Sequence, residues 1–432
     1  MYRKNRKYLL STMIGLLFTA QSLQAQDSLY ARNVIATLAS PAFHGRGYAF
    51  KGDSIAADYI SKEFGRLNLK SKTSDYFQSY FVSMNVFEQN TRIDFGANYP
   101  TTSFSDAMQI AMYSASVKGD FKIVPATDDM LLKTQKTSAF KNKFIAVDMS
   151  SDSMDKEVRK EWGRVIRNNL LKAKGYVVLK DKLSPYSPGA GTIKSEHTTV
   201  YIVKDSISGN LKKVSVDLDA RFIEQYATQN VFGYIEGTRY PDTFFVIGAH
   251  YDHLGQAGRD YIFHGANDNA AGVAMMLDLA RHYSLPENRP EYSIAFVAFS
   301  GEEIGLLGSF YFVDHPLIEM SNIKVMLNLD LVGTGEDGFT FVCGKTFPEE
   351  FEKFLFVNEQ NGYPQDLVAR EAAPNSDHYP FFKKGCKALF IYGMGKSGAY
   401  HHPSDTLENL SMGGYTRLVR MIVDYLNLDN SQ

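Results

Sequence analysis

The sequence predicts an α/β fold: a mixed, mostly parallel sheet with helices on both faces, carrying a smaller inserted α+β unit. Three observations lead there. Beyond Thr228, the runs Phe244 to Ile247, Ile294 to Ala298, Val325 to Leu329 and Ala388 to Tyr392 are almost wholly apolar, the pattern of strands covered on both faces. Helical stretches alternate with them, at Ala270 to Tyr283, Phe347 to Asn361 and Tyr415 to Leu426. From about Asn98 to Asp219 the texture changes to short alternating strands rich in Ser, Thr and Lys.

Taken in order, the chain opens with Arg3, Lys4, Arg6 and Lys7, then the apolar run Tyr8 to Ala20, and reaches a small residue at Ala25. A basic start, an apolar run too short to span a bilayer and a small residue form the pattern of an export signal over residues 1–25. Leu23 is bulkier than the residue usual two places before such a cut, and no Cys lies nearby to carry a lipid. Loss of these four basic residues would take the formal charge from −2 to −6. The expected location is outside the cytoplasm, periplasmic or secreted, with no membrane attachment once the signal is removed.

Residues 26–97 read as the first part of the main unit. They hold a helix from Ala31 to Leu38, a second from Gly52 to Leu67 with Ile55, Tyr59, Ile60 and Phe64 on one face, and a strand from Tyr76 to Glu88. Residues 98–219 read as the insert, with one strand–helix–strand element: Phe144 to Val147, a helix from Val158 to Ala173, and Tyr176 to Leu179. Residues 220–432 complete the main unit. At 432 residues with 44% hydrophobic content there is ample material for one large core and a small one. The near-neutral charge offers no basic footprint for nucleic acid. Only Cys343 and Cys386 are present, each in an apolar stretch that suits a buried thiol as well as a disulfide. Oligomeric state is not legible.

The chemistry lies in five short motifs of the last segment. They are Gly248-Ala249-His250-Tyr251-Asp252-His253, the Gly-bounded loop Gly265 to Gly272 around Asp268, Phe299-Ser300-Gly301-Glu302-Glu303, Asn328-Leu329-Asp330-Leu331, and His401-His402-Pro403-Ser404-Asp405-Thr406. Each falls at or just beyond a strand end or in a loop opening a helix, so all five can meet on the rim where open α/β sheets bind ligands. Imidazole and carboxylate donors without thiolate suit a catalytic zinc site. Two ions about 3.5–4 Å apart need a shared ligand, and a carboxylate can bridge with its two oxygens. Asp268 is the candidate bridge, His250 and Asp330 complete one site, and Glu303 and His401 the other. In an extended backbone neighbouring side chains face opposite ways, so Glu302 is free to act as general base while Glu303 binds metal. The Asp252 carboxylate is expected to accept the second ring N–H of His250.

These motifs resemble those of the co-catalytic di-zinc aminopeptidase family of peptidase clan MH, the bacterial leucyl aminopeptidase and aminopeptidase Y type. The resemblance covers about Thr228 to Asn427 strongly and Asn33 to Tyr80 more loosely. It implies a zinc-peptidase fold, two Zn²⁺ ions, a peptide substrate and hydrolysis from the N-terminus. Position by position it places ligands at His250, Asp268, Glu303, Asp330 and His401, the base at Glu302 and the supporting acid at Asp252. The insert is similar to a protease-associated domain. Two rivals share the fold: a glutaminyl-peptide cyclotransferase using one zinc, and a noncatalytic receptor-like member. The complete ligand set favours the hydrolase.

Other residues receive blander readings. His253 has no metal vertex assigned and reads as structural, as does Arg46 between its glycines. His402 reads as lining the entrance. Ser376 to Phe381 resembles a family loop near substrate, though loop geometry alone would also account for it. His44, His197, His264, His282 and His315 receive no catalytic role.

Overall fold

A computed structural model describes residues 29–96, 104–132, 139–207, 209–259, 261–363, 366–396 and 399–428. The expected export signal at 1–25 lies outside the described residues.

Numbered along the chain, the strands of the first half are β1 (Phe77–Val86), β2 (Thr91–Asp94), β3 (Met108–Ile110), β4 (Val117–Pro125), β5 (Lys143–Asp148), β6 (Gly175–Lys180), β7 (Thr198–Val203) and β8 (Lys213–Leu218). Then come β9 (Arg221–Ile235), β10 (Tyr240–His250), the small hairpin β11 (Gln256–Ala257) and β12 (Tyr261–Ile262), β13 (Tyr292–Phe299), β14 (Ile323–Leu329), β15 (Gly338–Val342), β16 (Leu367–Ala369) and β17 (Ala388–Met394). The helices are α1 (29–38), α2 (Gly52–Arg66), α3 (Asp128–Leu132), α4 (Lys156–Arg167), α5 (Ala271–Ser284), α6 (Leu307–Asp314), α7 (Pro348–Gln360), α8 (His378–Lys383) and α9 (Tyr415–Leu428).

Eight strands form the large sheet, in the order β1-β9-β13-β10-β14-β17-β15-β16. The central strands β13, β10, β14 and β17 run parallel, and antiparallel pairs flank them. Phe244 to His250 of β10 is buried without a break, as a strand covered on both faces must be. One face packs on α1, α2, α5, α7 and α9; the other packs on α6 and α8 through Phe312, Val313 and Phe381. Helix α5 is buried around most of its circumference, from Ala271 to Ala280, which is why its sequence is apolar on every face.

The second, seven-stranded sheet has the order β2-β8-β4-β5-β6-β7-β3. The chain leaves the large sheet at Val86 and returns at Arg221, which are paired neighbours on β1 and β9, so the excursion leaves that sheet's ladder intact. Thr91–Asp94 pairs with β8 of the second sheet, so the insert begins before residue 98, where composition alone puts its start. Trp162, Val165 and Ile166 of α4 pack on Ile145, Val147, Tyr176 and Val178. The other face buries Phe144, Val177 and Val200 against Leu254, Ala257 and Phe263 of the large unit. The helix expected to reach Ala173 stops at Arg167. Asn169 adopts a left-handed conformation (φ 43°), and its side chain bonds both the N–H and the C=O of Ala173, replacing the helical ladder. Cys343 and Cys386 are buried free thiols.

Candidate active site

The parallel register puts the reactive groups side by side. His250 ends β10 opposite Phe299, the last residue of β13, and Asp330 follows the last residue of β14. These are the carboxyl ends of adjacent strands, the rim expected for an α/β sheet. Asp268 sits in the tight loop before α5, entered through Gly265 at φ 61°. A Cβ at Gly265 would lie 2.2 Å from the Asp268 carbonyl oxygen, so only glycine fits. The Asp268–Asn269 peptide is cis.

Asp268 faces two groups at once. Its Oδ1 lies 3.4 Å from His250 Nε2, and its Oδ2 lies 3.3 Å from His401 Nε2. His250 Nε2 is also 3.3 Å from Asp330 Oδ1, and His401 Nε2 is 3.3 Å from Glu303 Oε2. His250, Glu302 and Asp330 gather donor atoms within 4.8 Å of one another, and so do His253, Asp268 and Glu303. Either cluster could hold a cation. All seven residues assigned from the sequence therefore meet at one place.

The electrostatics ask for positive charge. Burial disfavours a charged His250, yet the carboxylates of Asp330, Glu302 and Asp268 outweigh it and hold the imidazolium well above its ordinary range. Burial likewise opposes charge on His401, but Glu303 and Asp268 push it up to about 11. Glu303 is lowered despite burial, because His401 and His253 face it. Glu302 goes the other way: desolvation, with Glu303, Asp377 and Asp330 nearby, raises it well above the usual carboxylate range. In effect, acids concentrated in one buried pocket draw protons onto the imidazoles, and a bound cation would take the place of those protons.

Two details differ from the sequence reading. The Glu302–Glu303 pair is not extended: Gly301 turns the chain at φ 73°, and Gly305 and Leu306 donate to the Glu302 carbonyl. The turn itself sends Glu302 toward His250 and Asp330, and Glu303 toward Asp268. Nor does the Asp252 carboxylate take the His250 ring N–H. His250 Nδ1 lies 3.1 Å from the Asp252 main-chain oxygen and 3.8 Å from Oδ1. The carboxylate instead accepts from Glu302 N (3.2 Å), Glu303 N (3.4 Å) and the Tyr48 hydroxyl (3.2 Å). Two backbone donors in the turn outcompete one ring N–H, so Asp252 pins the glutamate pair. Burial raises it to about 7.

Other supports are invisible or undervalued in the sequence. Asp405 accepts from Asn267 N and Asp268 N and so fixes the Asp268 loop. Ser376 donates to Asp330 Oδ2 (2.8 Å) while accepting from Asn328, which brings the Ser376 to Phe381 run into the site. Asp377 beside it is fully buried and raised to about 7 by desolvation. His253 joins the cluster, its Nδ1 2.9 Å from Glu303 Oε1. Arg46 is wholly buried and donates to the carbonyls of Tyr251, Leu38, His264, Gly265 and Asp268, a structural part. His402 bonds Ser404 and Asp106.

The insert also reaches the site. His401 Nδ1 lies 2.7 Å from the Tyr186 carbonyl oxygen. The Tyr186 ring is buried, stacked on Phe263 at 4.7 Å and edge-on to Phe104, with its hydroxyl against Met112. On the opposite side, the Tyr400 ring stacks on His401 at 3.9 Å beside a cavity of about 220 Å³ walled by Asn267, Leu331, Thr334 and Leu410.

Residues 230–426 match the sequence profile of Peptidase family M28. The chain is 30% identical over 245 residues to aminopeptidase YwaD of Bacillus subtilis, covering 54% of this chain and 51% of that protein. It is 26% identical over 277 residues to a probable zinc metalloprotease of Leptosphaeria maculans, covering 52% and 64%. The matches thus span about half to two-thirds of these curated relatives. In fold it resembles the crystal structure of BSAP, a zinc aminopeptidase from Bacillus subtilis, with a TM-score of 0.68 and 21% identity over 93% of this chain and 94% of that one. It also resembles the aminopeptidase from Aneurinibacillus sp. strain AM-1, with a TM-score of 0.63 and 18% identity over 92% of each. The matched stretch contains His250, Asp268, Glu302, Glu303, Asp330 and His401, and over it the chain is similar to peptidase family M28.

Proposed function

We propose that the protein is an exported, zinc-dependent aminopeptidase with two metal sites sharing Asp268. The observation that carries this reading is the divided carboxylate: one oxygen of Asp268 faces His250 and the other faces His401. The donor set fits zinc, since it is all imidazole and carboxylate, is buried, and holds more acid than its own imidazoles can balance. His250, Asp268 and Asp330 would hold one ion; Asp268, Glu303 and His401 the other. Zinc bound there supplies Lewis-acid polarisation of the scissile carbonyl and acidifies water.

The chain's own residues do the rest. Glu302, raised and with no hydrogen-bond partner on its carboxylate among the described residues, accepts the proton of the attacking water and delivers it to the departing amine. Asp252 holds the Glu302 backbone where that transfer needs it. Ser376 fixes Asp330, and the Tyr186 carbonyl orients His401. The cavity beside Tyr400 is suited to the side chain of the first substrate residue. Export rests on the basic and apolar pattern of residues 1–25. Among the described residues no helix is long and apolar enough to cross a membrane.

The test is metal content of the purified protein together with a peptide panel. Two zinc ions per chain, cleavage of peptides with a free N-terminus and none of their N-acetylated forms are expected. One tight zinc, with ring closure of N-terminal glutamine and no hydrolysis, would overturn the reading in favour of the cyclase.

A further inference from the structure

The insert contains a cleft of about 1440 Å³ between the end of α4, the loop 168–174 and the loop 190–197. Six cationic side chains line it: Lys141, Arg167, Lys172, Lys174, Lys180 and Lys194. A single acid, Glu196, lines it with them. Lys194 reaches Glu224 at 3.3 Å, and Lys180 lies 4.7 Å over the Tyr201 ring, while the other four make no ion pair among the described residues. His197 at the floor is neutral, since burial lowers it to about 4, so the field comes from the six cations. In a chain of net charge −2, so many like charges around one concave surface repel one another, and field lines focus where the walls are protein. An anionic occupant would relieve that repulsion.

The position of the cleft says which anion. Ala190 lines it, and Ala190 belongs to the turn Pro188–Thr192, which packs on the backbone of Glu303 and Ile304. A Cβ added to the neighbouring Gly189 would stand 3.5 Å from the Glu303 carbonyl oxygen. Two residues before the turn, Tyr186 holds His401. The cavity that Tyr186 walls shares Tyr113, Lys180, Ala190 and Tyr201 with the cleft. A peptide whose N-terminus lies beside Glu303 and His401 and which runs across this turn advances toward the lysines by about 3.3–3.6 Å per residue.

We propose that the cleft binds the carboxylate-bearing distal part of the peptide substrate, so that peptides with acidic residues or a C-terminal carboxylate a few positions beyond the cleaved bond are preferred. This rests on the aminopeptidase reading. Rim charges of this kind act through long-range attraction and are screened by salt.

Three substrates test it: an aminoacyl p-nitroanilide, a neutral amidated pentapeptide, and the same pentapeptide with glutamates at positions four and five. In the wild type, KM for the acidic peptide is lower than for the neutral one, and the difference shrinks as sodium chloride is raised. In the double variant Lys141→Glu/Lys172→Glu, KM for the acidic peptide rises by roughly tenfold with kcat kept, while the p-nitroanilide and the neutral peptide change by less than about twofold. Equal KM for the two peptides in the wild type, or an equal shift for both in the variant, would overturn the proposal. Calorimetry with the N-acetylated acidic peptide reads the cleft without catalysis: binding is expected in the wild type and its loss in the variant. If no substrate is hydrolysed but this binding pattern holds, the aminopeptidase reading fails and the cleft stands. If tripolyphosphate binds the cleft without raising KM for the acidic peptide, the cleft serves another anion and the proposal is wrong.

Discussion

At the rim of the large sheet, Asp268, Glu302, Glu303 and Asp330 crowd around His250 and His401 in a pocket that is mostly closed to water. At the corresponding rim of the small sheet, β5 ends in Asp148, which meets Lys204 at 2.8 Å and Ser150 at 2.6 Å. Both are carboxyl ends of parallel strands, with a helix following. The difference is balance. Asp148 has its counter-charge built in and is half open to solvent, so it asks for nothing further. The four acids of the large sheet share two or three imidazoles and remain short of positive charge. A strand-end rim offers a location, and unbalanced buried charge turns that location into a site.

The largest effect should come from removing one acid without removing the imbalance that holds metal. Glu302→Gln keeps the shape and loses the proton acceptor, so turnover falls by roughly 10²–10⁴-fold or more while zinc content is unchanged. Glu303→Gln instead removes a carboxylate that faces His401 and His253, and zinc content should fall, with activity partly restored by added zinc. Activity assays alongside elemental analysis separate the two. A Glu302→Gln protein that loses zinc while Glu303→Gln keeps it would reverse the roles assigned to the pair.

A smaller effect would blur the comparison, because the small unit bonds the candidate site through the Tyr186 carbonyl oxygen. Tyr186→Ala frees the carbonyl that orients His401, and loss of such support weakens metal binding by about 10–100-fold. Tyr186→Phe keeps the stack on Phe263 and should bind zinc as the wild type does. Competition with a chelator measures both. Equal affinity in the alanine variant would mean that His401 is oriented without the insert.

What the sequence reveals, and what it hides, follows the same physics. That His250, Asp268, Glu302, Glu303, Asp330 and His401 come together is legible because imidazoles and carboxylates placed at strand ends form a restricted pattern. Apolar runs such as Phe244 to Ile247 expose the buried strands. The Tyr186 contact is not legible, since a main-chain oxygen has no letter of its own and the residue is 215 positions from His401. In sequence the Asp252 carboxylate reads as a partner of His250 because a local pair is easy to imagine. Its actual partners are backbone amides some 50 residues on, presented by a turn at Gly301 that the adjacent glutamates do not announce. Thr91–Asp94 falls with the wrong sheet for a similar reason: a four-residue strand carries too little pattern to say which edge it joins.

The last predicted effect bears on stability and leaves the site alone: it concerns a buried acid with no imidazole to balance it. Asp53 in α2 is fully buried and accepts from Tyr226 and Thr228, yet desolvation raises it from 3.8 to about 6. The folded state therefore holds this proton more tightly than the unfolded chain does. Its contribution is fully present below about pH 4 and is lost as pH rises to about 6, a change on the order of 3 kcal/mol. An amide at this position cannot titrate, so Asp53→Asn adds a constant offset from altered hydrogen bonds but removes the pH dependence. Unfolding of metal-free protein in denaturant at pH 4 and pH 7 should show the variant gaining on the wild type as pH rises. Parallel curves across that window would mean that Asp53 is ionised in the folded protein throughout, with Tyr226 and Thr228 compensating its burial without help from a proton.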